Sequence, residues 1–230
     1  MAALDVGAHP TALLAQALRR DPARPLITYY DLGSGGRVEL SVATFDNWTN
    51  KTVGLLRDEL DVEAGDTVDV VLPAHWVGLV LVMAAWTVGA RVSTTPVDDA
   101  AVSVRAWDEK PESAGALVVV NTLPLGGSAG VRAPAGSTDY GREVLGYPDV
   151  AGPAEPVHDA ALAALLDVAV PEPGTRRLVL AERCDEDAQQ QALLVPLRCD
   201  GSVVLVQPGS GEVDDERLAA IAAEERARQA

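Results

Sequence analysis

The side chains able to do chemistry are few and scattered. His9, His75 and His158 stand singly along the chain, and a lone histidine is more often a surface or helix-capping residue than a ligand. Cys184 and Cys199 are the two cysteines. They do not form CxxC, and two thiolates cannot by themselves close a structural zinc site. Of the 18 basic residues only Lys51 and Lys110 are lysines, so a mechanism that needs a lysine has two candidates. Lys51 falls on a predicted surface helix, and Lys110 precedes Pro111 in a loop. Gly126-Gly127-Ser128-Ala129-Gly130 is the glycine-rich run whose amides could face a phosphate, but no lysine follows it. It therefore fails the Gly-Lys-Ser/Thr ending of a Walker A loop, and a simple turn is the plainer role. Asp98-Asp99 and Asp214-Asp215 are paired carboxylates. The first pair suits a turn, with cation binding as the alternative, and the second suits the positive end of the last helix. No GxSxG elbow is present. Cys184 lies between Arg183 and Asp185, whose opposed charges give its thiolate little net help, so it reads as a semi-buried strand-end cysteine. Trp48, Trp76 and Trp86 fall at helical positions and read as core.

Charge narrows the partners. The 230 residues carry 18 Lys+Arg against 34 Asp+Glu, a net charge of −16. That disfavours nucleic acid and anionic membranes, both of which need a basic face. Hydrophobic residues are 48% and charged residues 23%, a balance that supports a packed core rather than disorder. No apolar run reaches the roughly 20 residues of a membrane-spanning helix, and the longest, 76–90, reads as a buried core helix. Residues 1–6 have no basic lead-in of the kind a secretion signal needs. The expected location is the cytoplasm, with reduced thiols. The expected organisation is one α/β domain over 1–230, with a loop or linker within 122–157.

The elements that must position these residues follow from periodicity. Helical spacing covers 11–20, and β-rich runs at 26–31 and 37–40 flank Gly33-Ser34-Gly35-Gly36 as a hairpin. Ser41 stands where an N-cap belongs, with a helix following to about residue 60. Strand 67–72, helix 75–88 closed by Gly89, and strand 90–94 form a βαβ unit, which implies parallel strands. Further strands are expected at 115–121, 177–180 and 202–207. Further helices are expected at 139–145, 158–169, 185–192 and 216–229, the last capped by Asp214. The 148–156 stretch is rich in Pro and Gly.

In this order the motifs resemble the N-terminal region of adenylate-forming enzymes, the acyl-CoA synthetases and their relatives. Arg37-Val38-Glu39-Leu40-Ser41 followed by Phe45 resembles their strand-to-helix entry. Leu60-Asp61-Val62-Glu63-Ala64-Gly65-Asp66-Thr67-Val68 and then Val70-Val71-Leu72-Pro73 resemble their "GVxxGDxV…P" strand. Trp86-Thr87-Val88-Gly89-Ala90 with Thr95-Pro96 resembles the following helix end and strand. Gly201-Ser202-Val203-Val204-Leu205-Val206 with 214–226 resembles a segment that in true synthetases lies beyond the phosphate loop. The similarity covers about half the chain and is nearest to short actinobacterial proteins distantly similar to AMP-binding enzymes. It implies a mixed, mostly parallel sheet flanked by helices, a shortened version of that domain.

The resemblance also implies what should be present for catalysis. The family's phosphate loop is a Ser/Thr/Gly-rich run ending in Pro-Lys-Gly, whose amides and lysine hold the triphosphate. No such run occurs between Pro96 and Gly201. The family's adenine-binding segment, ribose-holding Asp and lid lysine have no counterpart before Ala230. Arg176-Arg177, the adjacent basic pair of the later half, is more simply a strand-edge charge. The leading expectation is a degenerate, non-catalytic relative that binds a partner protein or a small acyl or nucleotide ligand. The alternatives are an enzyme with a repurposed cleft near Pro73, Ala74, His75 and 94–96, and a structural module that forms a homodimer. Candidate ligand-binding residues are His75, Thr94 and Thr95 at strand ends, where open α/β sheets hold ligands, and Gly126, Gly127 and Ser128 in the glycine-rich loop. No catalytic residue or metal ligand is assigned and no cofactor is expected. The alternative is ATP or AMP with Mg²⁺.

Overall fold

A computed structural model describes residues 8–107, 115–128, 130, 133–209 and 213–229. His9 caps the first helix: its Nδ1 accepts the Thr11 amide at 3.3 Å, and α1 (Pro10–Arg20) buries Leu13, Leu14 and Ala17. β1 (Pro25–Asp31) and β2 (Gly36–Ser41) form the expected antiparallel hairpin, Tyr29 opposite Val38. Ser41 caps α2 (Val42–Gly54) by accepting the Thr44 amide at 3.1 Å. The helix expected to run on to about residue 60 widens instead into a π-turn, Leu55–Glu59. β3 (Thr67–Val71), α3 (Trp76–Val88) and β4 (Arg91–Ser93) are the expected βαβ unit, with β3 and β4 parallel neighbours. Gly89 ends α3 at φ +83°, the left-handed cap for which a residue without Cβ is suited.

β5 (Val102–Ala106), β6 (Ala116–Val120) and β7 (Ser137–Asp139) follow, then α4 (Tyr140–Glu143) with a 3₁₀ turn, Val144–Gly146. α4 and its 3₁₀ turn fall where a helix is expected at 139–145, whereas β7 is a strand inside the 122–157 stretch expected to hold a loop or linker. The segment 147–159 has no helix or strand, but it is strapped down. Lys51 donates to the Tyr147 carbonyl at 2.5 Å and pairs with Asp149 at 2.9 Å, and Arg57 donates to the Pro153 carbonyl at 2.8 Å. α5 (Ala160–Leu166) starts after Asp159, which caps it by accepting the Leu162 amide at 2.8 Å, and ends at Leu166, short of the expected 169. β8 (Arg176–Leu180) leads to α6 (Glu186–Gln189), a π-turn at Gln190–Leu194 and α7 (Val195–Arg198). β9 (Ser202–Gln207), α8 (Asp215–Glu224) and β10 (Arg228–Gln229) complete the chain. α8 is shorter than expected, since Arg226 takes a left-handed φ of +50° and the next residues pair with β8.

The mostly parallel α/β layering expected from the sequence is present, divided between two five-stranded sheets. The first has the order β10-β8-β9-β1-β2 and is parallel except at the hairpin; the second, β4-β3-β5-β6-β7, is parallel throughout. One core joins the inner faces of both sheets to α1, α2 and α3, with Ile27, Phe45, Val70, Leu79, Val104 and Leu205 all buried. α3 is buried on nearly every face, so it lacks the polar side that a surface helix shows. α8 covers the other face of the first sheet, where Tyr30, Leu178, Val204, Val206, Ile221 and Ala222 pack. Trp76 and Trp86 are core, as expected. Among the described residues no helix is long and apolar enough to cross a membrane.

Candidate functional site

Parallel strands of one sheet direct their carboxyl ends, and the loops that follow, to one edge. At the second sheet that edge carries the glycine-rich loop after β6 and the β7–α4 junction. Asn121 brackets the loop: its Oδ1 accepts the Leu123 amide at 3.1 Å and its Nδ2 donates to the Gly127 carbonyl at 2.9 Å. The loop then docks on the start of α3. Trp76 Nε1 donates to the Pro124 carbonyl at 2.8 Å, and His75 Nε2 donates to the Leu123 carbonyl at 3.2 Å. Gly126 has φ +62°, and a Cβ there would stand 2.6 Å from Val77 Cγ2, so both backbone conformation and space favour glycine. At Gly141 an added Cβ would collide with the backbone of Gly127 and Ser128, which seats the far side of the loop on α4.

The bonds of His75 fix its chemistry. Nδ1 accepts the Val77 amide at 3.1 Å, so the proton sits on Nε2, facing the Leu123 carbonyl. Burial holds the ring neutral, lowering its pKa from 6.5 to about 4 against the opposing pull of the Leu123 carbonyl. The ring is fully buried and lies edge-on to Tyr29, with centroids 4.7 Å apart. Its role is to cap α3 and hold the loop.

A cleft of about 950 Å³ opens beside the loop. Ser128, Ser137, Thr138 and Asp139 line it, with Glu59, Glu143 and Arg142 at its walls and the small residues from Ala133 to Gly136 completing it. Asp139 ends β7 and stands at the N-cap position of α4, yet its side chain makes no capping bond. Instead Oδ2 accepts the Ser128 hydroxyl at 2.7 Å, while Oδ1 is buried without a hydrogen-bond partner among the described residues.

Of the six residues singled out in the sequence, the loop joins His75 to Gly126 and Gly127 by packing and hydrogen bonds, and Ser128 alone lines the cleft. Thr94 and Thr95 lie in a bend after β4, where Ser93 Oγ donates to the Thr95 carbonyl at 2.8 Å. The strand end around Pro73 and Ala74 is sealed by the segment after β8: Ala74 donates to the Glu182 carbonyl at 3.0 Å and Cys184 to the Leu72 carbonyl at 3.0 Å. Cys184 is fully buried rather than semi-buried; burial, with Asp185 beside it, raises its thiol to about 12. Asp98-Asp99 occupies a turn, and Asp214 caps α8 through the Glu216 amide at 2.9 Å. Arg176 pairs with Glu225 at 2.6 Å. Lys110 and Ala129 lie outside the described residues. Sequence reasoning missed Asp139 as a site residue; its place at the start of the helix expected at 139–145 was the available signal.

No protein-family model matches the chain. A TIGR03089 family protein of Mycobacterium tuberculosis is 37% identical over 146 residues, 60% of this chain and 60% of that protein. The chain thus matches under two thirds of that curated relative's length. Among solved structures, an acyl-CoA synthetase of Brucella canis superposes with a TM-score of 0.72 at 14% identity, over 97% of this chain and 47% of that one. The N-terminal domain of FACL13 from Mycobacterium tuberculosis gives 0.59 at 14% identity over 96% and 61%. The nonribosomal peptide synthetase FmoA3 gives 0.65 at 19% identity over 96% and 25%. The chain has the fold of the N-terminal part of acyl-CoA synthetases and peptide-synthetase adenylation domains, as its motif order led us to expect.

Proposed function

We propose that this protein is a non-adenylating relative of the acyl-CoA synthetases, using their N-terminal scaffold to bind a small ligand rather than to activate a carboxylic acid. One observation carries this reading. The glycine-rich loop nearest in composition to a phosphate loop is bonded to its own protein: the Leu123 and Gly126 amides go to Asn121 Oδ1 and the Leu123 carbonyl, and His75, Trp76 and Asn121 bond the carbonyls of Leu123, Pro124 and Gly127. Attack of a carboxylate on the α-phosphate of ATP builds negative charge that cations must offset. The adjoining cleft instead gathers Glu59, Asp139 and Glu143 against Arg142, which leans on Glu143 at 3.6 Å. Lys51 is engaged by Tyr147 and Asp149. ATP or AMP with Mg²⁺ is therefore the competing ligand rather than the preferred one. The free, buried Cys184 and Cys199 suit a reducing compartment such as the cytoplasm.

The test pairs a thermal-shift panel of Mg-ATP, AMP, acyl-CoAs, carboxylic acids and amines with an assay of pyrophosphate release. A genuine ligand raises the melting temperature by mass action, and the expected panel shows one without acid-dependent pyrophosphate. Pyrophosphate release that requires both ATP and a carboxylic acid would overturn the reading. A second reading, docking of a protein partner or a second copy, is favoured by Leu123 and Leu125, 59% and 77% exposed on either side of Pro124. Light scattering that finds only monomers at high concentration counts against the homodimer.

A further inference from the structure

Resting on the ligand-binding reading above, we propose that the cleft at the carboxyl ends of β6 and β7 recognises a small organic molecule through a primary ammonium group, with Asp139 as its counter-ion. Asp139 is 7% exposed, and among the described residues its Oδ1 has no hydrogen-bond partner although it belongs to a carboxylate. A buried charge normally pairs with another or with a metal. The ordinary work of an aspartate before a helix, accepting an amide of the first turn, is not done here. Ser128 Oγ, 2.7 Å from Oδ2, holds the carboxylate in place and leaves the other oxygen for a donor. A carboxylate accepts and does not donate, so the group that completes it is a hydrogen-bond donor or a metal cation.

Four features favour an organic cation among these partners. The cleft volume, about 950 Å³, is that of a small-molecule site rather than an ion site. Glu59 and Glu143 share the lining with Asp139 against the single described cation there, Arg142, so the carboxylates outnumber it and the field favours cations over phosphates and carboxylates. Among the described residues no group of three or more His, Cys, Asp or Glu is arranged to hold a metal. The wall from Ala133 to Gly136 is built of small residues, leaving room for an aliphatic body behind the ammonium, and the Ser137 and Thr138 hydroxyls offer further polar contacts.

The experiment is calorimetric titration of the full chain in 150 mM salt with n-butylamine and spermidine, alongside butanol, Mg²⁺ alone and Mg-ATP, repeated on Asp139→Asn and Ser128→Ala. Asparagine keeps the shape and the bond from Ser128 but removes the charge. The proposal expects saturable binding of an amine, none of butanol, at least a tenfold loss in Asp139→Asn and a several-fold loss in Ser128→Ala. It also expects unliganded Asp139→Asn to melt at a higher temperature, because the uncompensated charge is gone; that readout shows the variant is folded. Amines that bind wild type and Asp139→Asn equally, or bind neither, overturn it, as does Mg²⁺ displacing the amine as the bound cation. If Mg-ATP or another anion binds and Asp139→Asn does not affect it, the ammonium assignment fails while ligand binding stands. If nothing in the wider panel binds, both fall.

Discussion

Two of the carboxylates sheltered from water in this molecule, Glu225 and Asp139, are treated in opposite ways. Glu225, just past α8, is enclosed by donors: Tyr30 Oη at 2.7 Å and Arg37 Nε at 2.9 Å reach Oε1, and Arg176 Nη2 at 2.6 Å reaches Oε2. Burial alone would raise its pKa, but the bonds from Arg37, Tyr30 and Arg176 outweigh it and bring the group to about 2. Asp139, at the edge of the second sheet, has one hydroxyl on one oxygen and nothing on the other. A fully bonded carboxylate is a fastening; here it ties α8 to β1, β2 and β8. A carboxylate left half-bonded beside a cleft is the group to which the proposal above assigns recognition of a ligand. Structural ion pairs and binding groups thus differ in what remains unmet.

The comparison can be broken at either end, and the largest effect is expected at the fastening. Glu225→Gln leaves two arginines facing a neutral amide and should lower stability by about 3 kcal/mol, read from urea unfolding at pH 7. Because the folded pKa lies below the usual carboxylate value of 4.5, the folded state binds fewer protons than the unfolded one between these values. The contribution of Glu225 is therefore complete above pH 4.5 and lost as pH falls towards 2. Glu225→Gln should flatten that part of the stability curve.

A comparable effect is expected at His75. A histidine held at about 4 instead of 6.5 is neutral in the fold where the unfolded chain would protonate it. Stability falls as pH drops from 6.5 to 4, by about 3 kcal/mol at 1.36 kcal/mol per pH unit. His75→Asn retains an N-cap acceptor and should remove most of that slope. His9 shares the direction, lowered to about 4 by burial and then by His158, and its slope should remain.

Next in size is the loop. Gly126→Ala adds a Cβ at positive φ against Val77 and Trp76 and should cost about 2 kcal/mol. Asp139→Asn has the opposite sign, a gain of about 1 kcal/mol from neutralising an unmet charge. Thr95→Ala, in a bend outside the cleft, should change stability by less than about 0.5 kcal/mol. If Asp139→Asn is instead destabilising, the contrast with Glu225 disappears.

The parts legible in the sequence are those decided locally. The hairpin around residues 33–36, the Ser41 cap, the β3–α3–β4 unit and its Gly89 stop each follow from neighbours a few residues apart, and they fell where pattern placed them. β5 and β7 escaped because their environments are set at a distance. Ser103 and Arg105 look polar for a strand until Asp69 of β3 is found beside them. β7 has three residues and exists by pairing with β6. Candidate-site residues were half legible for the same reason. The composition of the glycine-rich loop was plain, but its docking depends on His75 and Trp76, each 48 residues from its carbonyl partner. The unmet oxygen of Asp139 is invisible to any local pattern.

The central claim is that a synthetase-like scaffold here has no seat for a nucleotide's phosphates. Equilibrium dialysis of the full chain against labelled Mg-ATP tests it directly. The account predicts no saturable uptake up to millimolar nucleotide. Saturable one-to-one binding in the micromolar range, weakened by rising salt, would contradict it.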